Sequence, residues 1–149
     1  MIDLYVKGDL LKAFQESEFD AIVHGCNCFH MMGAGIAGQI AKIFPESLKI
    51  DKKYSEYGDW GKLGSYTVCG TTYGHIINGY TQFRPGRCPE HDLMYSIQQL
   101  FFTLNEKYSG KTIGIPMIGC GIAGGNWQHV SKLINEITPD LKIIVYYFE

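Results

Sequence analysis

The sequence predicts a three-layer α/β/α sandwich around a central mixed sheet. Three observations carry that expectation. Apolar strand-like runs alternate with helical patterns from end to end, two of those runs pass directly into glycine-rich loops that open helices, and 149 residues with 46% hydrophobic content can bury a full core. Strands interleaved with helices form a largely parallel sheet with both faces covered, and ligands in such folds sit beyond the carboxyl ends of the central strands. A single domain spanning residues 1–149 is the expected organisation, since no linker composition interrupts the pattern.

The elements follow from period and punctuation. Ile2-Asp-Leu-Tyr-Val6 reads as a strand that breaks at Lys7-Gly-Asp9, and Leu10 to Glu16 as a short helix. The run from Ala21 to Cys26 is an apolar strand. Residues Ile36 to Phe44 follow as a helix stopped by Pro45, with a polar helix from Glu46 to about Tyr57. The segments Gly64–Gly70 and His75–Gly79 read as a strand pair joined by a turn over Thr71–Gly74, and Tyr80–Pro89 as a polar loop. From Glu90 to Lys107 the apolar residues Leu93, Ile97, Leu100, Phe101 and Leu104 mark one buried helical face. A strand at 112–117, a helix at about 126–137 and a terminal strand from Leu141 to Phe148 complete the series.

Two loops carry the functional signal. In Ile113-Gly-Ile-Pro-Met-Ile-Gly-Cys-Gly-Ile-Ala-Gly-Gly-Asn-Trp127 an apolar strand enters a glycine loop and then a helix. Glycines let backbone N–H groups approach an anion unobstructed, and the helix start adds unpaired donors and a positive dipole end. The segment Ala21-Ile-Val-His-Gly-Cys-Asn-Cys28, followed by Phe29-His-Met-Met32 and Gly33-Ala-Gly-Ile-Ala-Gly-Gln-Ile40, repeats the arrangement. Such turns also arise for purely steric reasons, but two of them can hold two linked phosphates from opposite sides.

Composition narrows the partners. A net charge of −2 and a pI near 6.2 speak against general binding to a nucleic-acid backbone, which needs a basic face. No apolar run approaches a membrane span, the start of the chain lacks a charged-then-apolar leader, and five cysteines without framework spacing suit a reducing compartment. The expectation is a cytoplasmic monomer with a small-molecule ligand and no cofactor.

Gly8-Asp9-Leu10, Asn27 after an apolar strand, Gly33-Ala-Gly-Ile-Ala37 and Ile118-Gly-Cys-Gly-Ile122 follow the order of motifs in macro domains, and the chain resembles that family over essentially its whole length. It is most like the yeast-type ADP-ribose-1″-phosphate phosphatase branch, whose first loop also reads His-x-Cys-Asn-Cys. The second loop, with Cys120 and Asn126-Trp127, looks equally like the DNA ADP-ribosyl glycohydrolase antitoxins and the human-type terminal ADP-ribose glycohydrolase. The resemblance implies ADP-ribose or ADP-ribose-1″-phosphate as ligand. It implies that Asp9 and Leu10 lie at adenine, with Asp9 accepting from the adenine amino group; the alternative for Asp9 is a helix cap. Asn27 would contact the distal ribose, or simply form the turn leaving its strand. Gly33, Ala34, Gly35, Ile36 and Ala37 would line the first diphosphate loop, and Gly119, Cys120, Gly121, Ile122 and Ala123 the second. Tyr147 or Phe148 would stack on adenine or pack in the core.

Three catalytic patterns of the family can be compared with these residues. The Asp that follows the first loop in one hydrolase group is replaced by Ala37, the Lys of another falls at or beside Gln82, and the partner Asp falls at Ala123. The third pattern keeps its histidine: His24 is the expected nucleophile or base for the terminal phosphate, against the alternative of a packed strand histidine. His30 is a second candidate. His24, Cys26, Cys28 and His30 do not suit a metal, because a straight strand does not wrap a tetrahedral ion and no second pair closes the site. Cys120 is expected to be a small buried thiol rather than a nucleophile. Arg84 and Arg87, beside Phe83, could cover a distal phosphate or remain solvated. The expected activity is hydrolysis of ADP-ribose-1″-phosphate, with a non-catalytic ADP-ribose reader and an ADP-ribosyl hydrolase as alternatives.

Overall fold

Strand order decides where every loop of this protein emerges. In a computed structural model, which describes residues 1–16, 19–33, 35–54 and 56–148, six strands form one sheet in the order β1-β6-β5-β2-β4-β3. The strands are β1 (Ile2–Lys7), β2 (Ala21–Cys26), β3 (Tyr66–Thr71), β4 (Gly74–Tyr80), β5 (Thr112–Ile115) and β6 (Lys142–Tyr147). All neighbours are parallel except β3 and β4, which form a hairpin through Thr72-Tyr73. The helices are α1 (Leu10–Gln15), α2 (Gly35–Ile43), α3 (Pro45–Lys53), α4 (Glu90–Lys107) and α5 (Trp127–Ile137).

Side-chain alternation along the strands divides the interior in two. Val23, Ile77, Ile113, Ile115, Ile143 and Val145 face α4 and α5 and meet Leu93, Ile97, Leu100, Leu104, Val130 and Ile134. Ile22 and Ile76 face the other way, against Leu10, Leu11 and Phe14 of α1 and Ile40 of α2. Each such side chain, fully buried, contributes about 1.5–3 kcal/mol, so the two cores outweigh any single polar contact below. The result is the predicted three-layer α/β/α arrangement with a mixed sheet.

Several boundaries differ from those expected, for local reasons. Strand β5 stops at Ile115 instead of 117 because Pro116 has no N–H to continue the ladder. The polar helix ends at Lys53, capped by the Tyr54 N–H on the Ile50 carbonyl, and a separate 3-10 turn at Trp60–Lys62 follows, its first N–H groups capped by Asp59 Oδ1 accepting from Gly61 N at 2.9 Å. The hairpin strands reach Thr71 and Gly74, leaving a shorter turn than 71–74. Asn126 is the cap of α5 rather than its first turn, its side chain accepting from Gln128 N at 2.9 Å.

Candidate active site

Because β2 and β5 are parallel neighbours, the loops leaving their carboxyl ends stand side by side. A cleft of about 700 Å³ lies between them. Gly33, Gly35, Ile36 and Ala37 line it from the first loop, and Gly119, Gly121, Ile122 and Ala123 from the second, with Asn27 between. Ala34, expected beside them, lies outside the described residues. The cleft also takes in residues that the sequence motifs did not indicate, notably Cys26, Met31, Met32 and Leu48, and the stretch Thr81, Gln82, Pro85 and Gly86 that follows β4. None of the described lining residues carries a carboxylate, imidazole, ammonium or guanidinium group.

Glycine is required in the second loop by close approach as well as by backbone conformation. Gly119 adopts φ +77°, and a Cβ at Gly125 would stand 2.4 Å from Leu93 Cδ2 and 2.6 Å from the Gly119 carbonyl oxygen. The Gly125 N–H donates to that same oxygen at 2.9 Å and closes the loop. Leu93 of α4 therefore sets the height of the loop above the sheet. By contrast a Cβ at Gly121 would meet nothing within 4 Å, so this glycine leaves open space on the cleft side.

The remaining predicted site residues fall as follows. Asn27 forms the turn that leaves β2: its Oδ1 accepts from Phe29 N at 2.9 Å and its Nδ2 donates to Met31 O at 2.9 Å, while the side chain still borders the cleft. Asp9 caps α1, with Oδ1 accepting from Leu11 N at 3.0 Å and Lys12 N at 3.3 Å. Neither Asp9 nor Leu10 lines the cleft, and Leu10 packs in the α1 core. Phe148 is 74% exposed beyond β6. Cys120 turns away from the cleft toward the Ile118 carbonyl, and burial pushes its thiol up to about 11. At neutral pH it is a thiol, not a thiolate.

His24 does not reach the cleft. Its ring lies on the Ile22 face of β2, fully buried under α3, and does not contribute to the cleft lining. In the sheet register His24 stands directly opposite Asn78 of β4, and His24 Nε2 is 2.7 Å from Asn78 Oδ1. Asn78 Nδ2 donates to Ser47 O and Thr67 Oγ1, both at 3.1 Å, which fixes the amide orientation and makes its Oδ1 an acceptor. His24 Nε2 therefore carries the hydrogen, and the Cys26 sulfur stands about equally far from both ring nitrogens, 3.6 Å from Nε2 and 3.7 Å from Nδ1. Burial pushes the imidazole down to about 4, against the Asn78 hydrogen bond and the Asp51 charge, so it is neutral at pH 7. The same polar layer continues through Tyr80, whose hydroxyl donates to Asp51 Oδ1 at 2.7 Å, to the buried Lys62–Asp51 ion pair at 2.7 Å.

Three loops are tied together at the far side of the cleft from β1. The Cys28 N–H donates to Phe83 O at 2.9 Å and the Gly58 N–H to Cys28 O at 2.8 Å. Above these bonds Trp60 stacks on Phe83 with centroids 3.5 Å apart and planes 7° apart, while Phe29 meets Phe83 and Tyr57 edge-on. Gln82, where a lysine would be needed for lysine-dependent chemistry, instead donates from Nε2 to the Arg84 and Gly86 carbonyls at 2.7 and 2.8 Å. It holds the loop after β4 in place.

Two backbone-lined glycine loops at the ends of adjacent parallel strands in a mixed sheet, each next to a helix, define a nucleotide-phosphate-binding α/β protein. More particularly, the chain belongs to the macro domain family, whose profile matches residues 23–134. An uncharacterized 17.5 kDa protein of Enterobacteria phage T4 is 40% identical over 157 residues, which span 100% of this chain and 98% of that one. The human protein named ADP-ribose glycohydrolase OARD1 is 30% identical over 147 residues, 95% of this chain and 89% of its own. A Saccharomyces cerevisiae protein named ADP-ribose 1″-phosphate phosphatase is 29% identical over 177 residues, 95% and 96% of the two chains. Among solved structures, the macrodomain of Mycobacterium tuberculosis DarG superposes with a TM-score of 0.76 at 26% identity, covering 98% of this chain and 97% of that one.

Proposed function

We propose that the cleft binds ADP-ribose and that the protein hydrolyses ADP-ribose-1″-phosphate to ADP-ribose and phosphate. The observation that carries this reading is the cleft itself: two glycine loops face each other with open backbone at Gly35 and Gly121, and among the described residues no ionisable group other than a protonated thiol lines the space between. Such a lining suits a ligand that brings its own charge, as a diphosphate does. The names of the human and yeast relatives, both enzymes of ADP-ribose derivatives, support the same ligand and a hydrolytic role.

The nucleophile in this reading is water and not His24, which is buried outside the cleft with Nε2 engaged by Asn78. The ligand's own diphosphate oxygen orients and deprotonates a water that attacks C1″ of the distal ribose. The C1″–O bond breaks, phosphate leaves with the bridging oxygen, and the water oxygen becomes the 1″ hydroxyl of ADP-ribose. The ester's second phosphate pKa is about 6, so near neutral pH a share of it is monoanionic and leaves as HPO4²⁻, while the proton taken from water passes through the diphosphate to solvent; no protein acid is required. The two loops supply orientation and charge stabilisation through backbone N–H groups.

Hydrolysis in ¹⁸O-labelled water tests the proposal. Phosphate release with the label in ADP-ribose is the expected result. Label in phosphate would mean attack at phosphorus and return the question to a protein nucleophile, and tight ADP-ribose binding without release of phosphate would make the protein a reader.

A further inference from the structure

Arg87 is an exposed cation next in sequence to a cleft-lining residue, and it has no ion pair among the described residues. It follows Gly86, which lines the cleft, and precedes Cys88, whose N–H donates to the carbonyl of Ala123, another lining residue, at 2.9 Å. The chain at Arg87 thus bridges the rim between the loop after β4 and the second glycine loop. Its side chain lies along Gly124, where a Cβ would stand 3.2 Å from Arg87 Cζ and 3.3 Å from Nη1. Gly124 also adopts φ +80°, so the glycine both shapes the turn and leaves the guanidinium its seat.

Nothing within the described protein neutralises that guanidinium. Glu90, three residues on, is engaged with His129 at 2.7 Å, and no ion pair among the described residues involves Arg87. Arg84 is placed differently: it sits over the Phe83 ring at 5.8 Å, on the aromatic stack outside the cleft. The position of Arg87 along the cleft follows from strand order. Its loop leaves β4 and returns to the loop after β5, where Arg87 is seated against Gly124, so β6 stands between that loop and β1, after which Asp9 follows with the adenine contact expected there.

We infer that Arg87 is a specificity-determining residue that receives the negative charge of the group attached at the 1″ position, and that the substrates are ADP-ribose derivatives with an anionic 1″ substituent. The inference rests on ADP-ribose occupying the cleft with its distal ribose toward β4. A planar guanidinium offers paired donors to phosphate oxygens that an exposed lysine does not reproduce, and a charge-assisted bond at a cleft rim changes affinity by roughly tenfold or more.

The test compares the wild type with Arg87→Ala and Arg87→Lys, using ADP-ribose-1″-phosphate and ADP-ribose as the two probes. For the phosphate ester the quantity is KM from initial rates, or Kd by calorimetry if no turnover occurs; for ADP-ribose it is Kd. Arg87→Ala is expected to weaken the phosphate ester roughly tenfold or more while ADP-ribose changes less than about twofold, and Arg87→Lys to recover part of the loss. Equal weakening of both probes would assign Arg87 to the diphosphate and overturn the inference, as would no change in either. If the wild type bound neither probe, the function proposed above would fail with it, and that result is distinct from the other two.

Discussion

Two glycines of the second loop, four residues apart, separate the scaffold from the ligand surface, and substituting each with alanine gives opposite results. At Gly125 the new Cβ would fall 2.4 Å from Leu93 Cδ2 and 2.6 Å from the Gly119 carbonyl. The leucine can rotate, but the carbonyl is backbone and accepts the Gly125 N–H at 2.9 Å, so the loop must open. Overpacking of about 1–3 kcal/mol plus a hydrogen bond worth about 1 kcal/mol gives about 3 kcal/mol for Gly125→Ala, or a Tm lower by about 6–10 °C. At Gly121 the Cβ would meet no atom within 4 Å, and the backbone lies outside the left-handed region. Gly121→Ala is therefore expected to leave Tm unchanged or raise it slightly, since alanine restricts the unfolded chain. Its methyl projects from the cleft lining, so ADP-ribose affinity should fall at least about tenfold through loss of a charge-assisted amide contact. Differential scanning calorimetry and isothermal titration of both variants make the comparison. A Gly121→Ala protein that binds ADP-ribose as tightly as wild type would refute the idea that this loop is a backbone cradle.

Other predictions concern the polar layer beneath α3 and the second-loop thiol. Because the folded imidazole of His24 is pushed from 6.5 down to about 4, the unfolded chain binds the proton first as pH falls. Stability from this group is complete above pH 6.5 and is lost by pH 4, a change of about 3 kcal/mol. Urea midpoints across that range should fall in wild type and flatten in His24→Gln; parallel slopes would contradict the assignment. Lys62→Met strands the Asp51 carboxylate in the interior and should cost about 3–5 kcal/mol in denaturant unfolding, whereas Lys62→Met with Asp51→Leu should recover much of it. Cys120, with its thiol raised to about 11, should alkylate slowly at pH 7.5 in mass-spectrometric time courses and accelerate as pH rises toward 10; rapid labelling at pH 7 would show an activated thiolate instead.

The two loops and most of the elements were legible in the sequence because each rests on a local signal. Proline at 45 and glycines at 33 and 35 mark the limits of α2, and the Leu93–Leu104 stripe marks the buried face of α4. The 3-10 turn at Trp60–Lys62 has no periodicity to reveal it, only the Asp59 cap. Strand order was not legible at all, and the misplacement of His24 follows from that. A histidine at the end of an apolar strand reads as pointing toward the ligand unless β4 is known to lie beside β2, with Asn78 in register across 54 residues of chain. One signal was available: Asn78 interrupts the apolar run Ile76-Ile77, and a buried amide needs a polar partner. Likewise the loop after β4 joins the cleft only because parallel pairing brings its start beside the end of β2.

Where ADP-ribose sits is measured directly by an amide-resolved NMR titration. Backbone amides of Gly33, Gly35, Gly119 and Gly121 are expected to shift together and saturate at one equivalent. Shifts confined to the separate cavity of about 450 Å³ bordered by Tyr54, Lys62 and Thr67, or no saturable shifts anywhere, would contradict that placement.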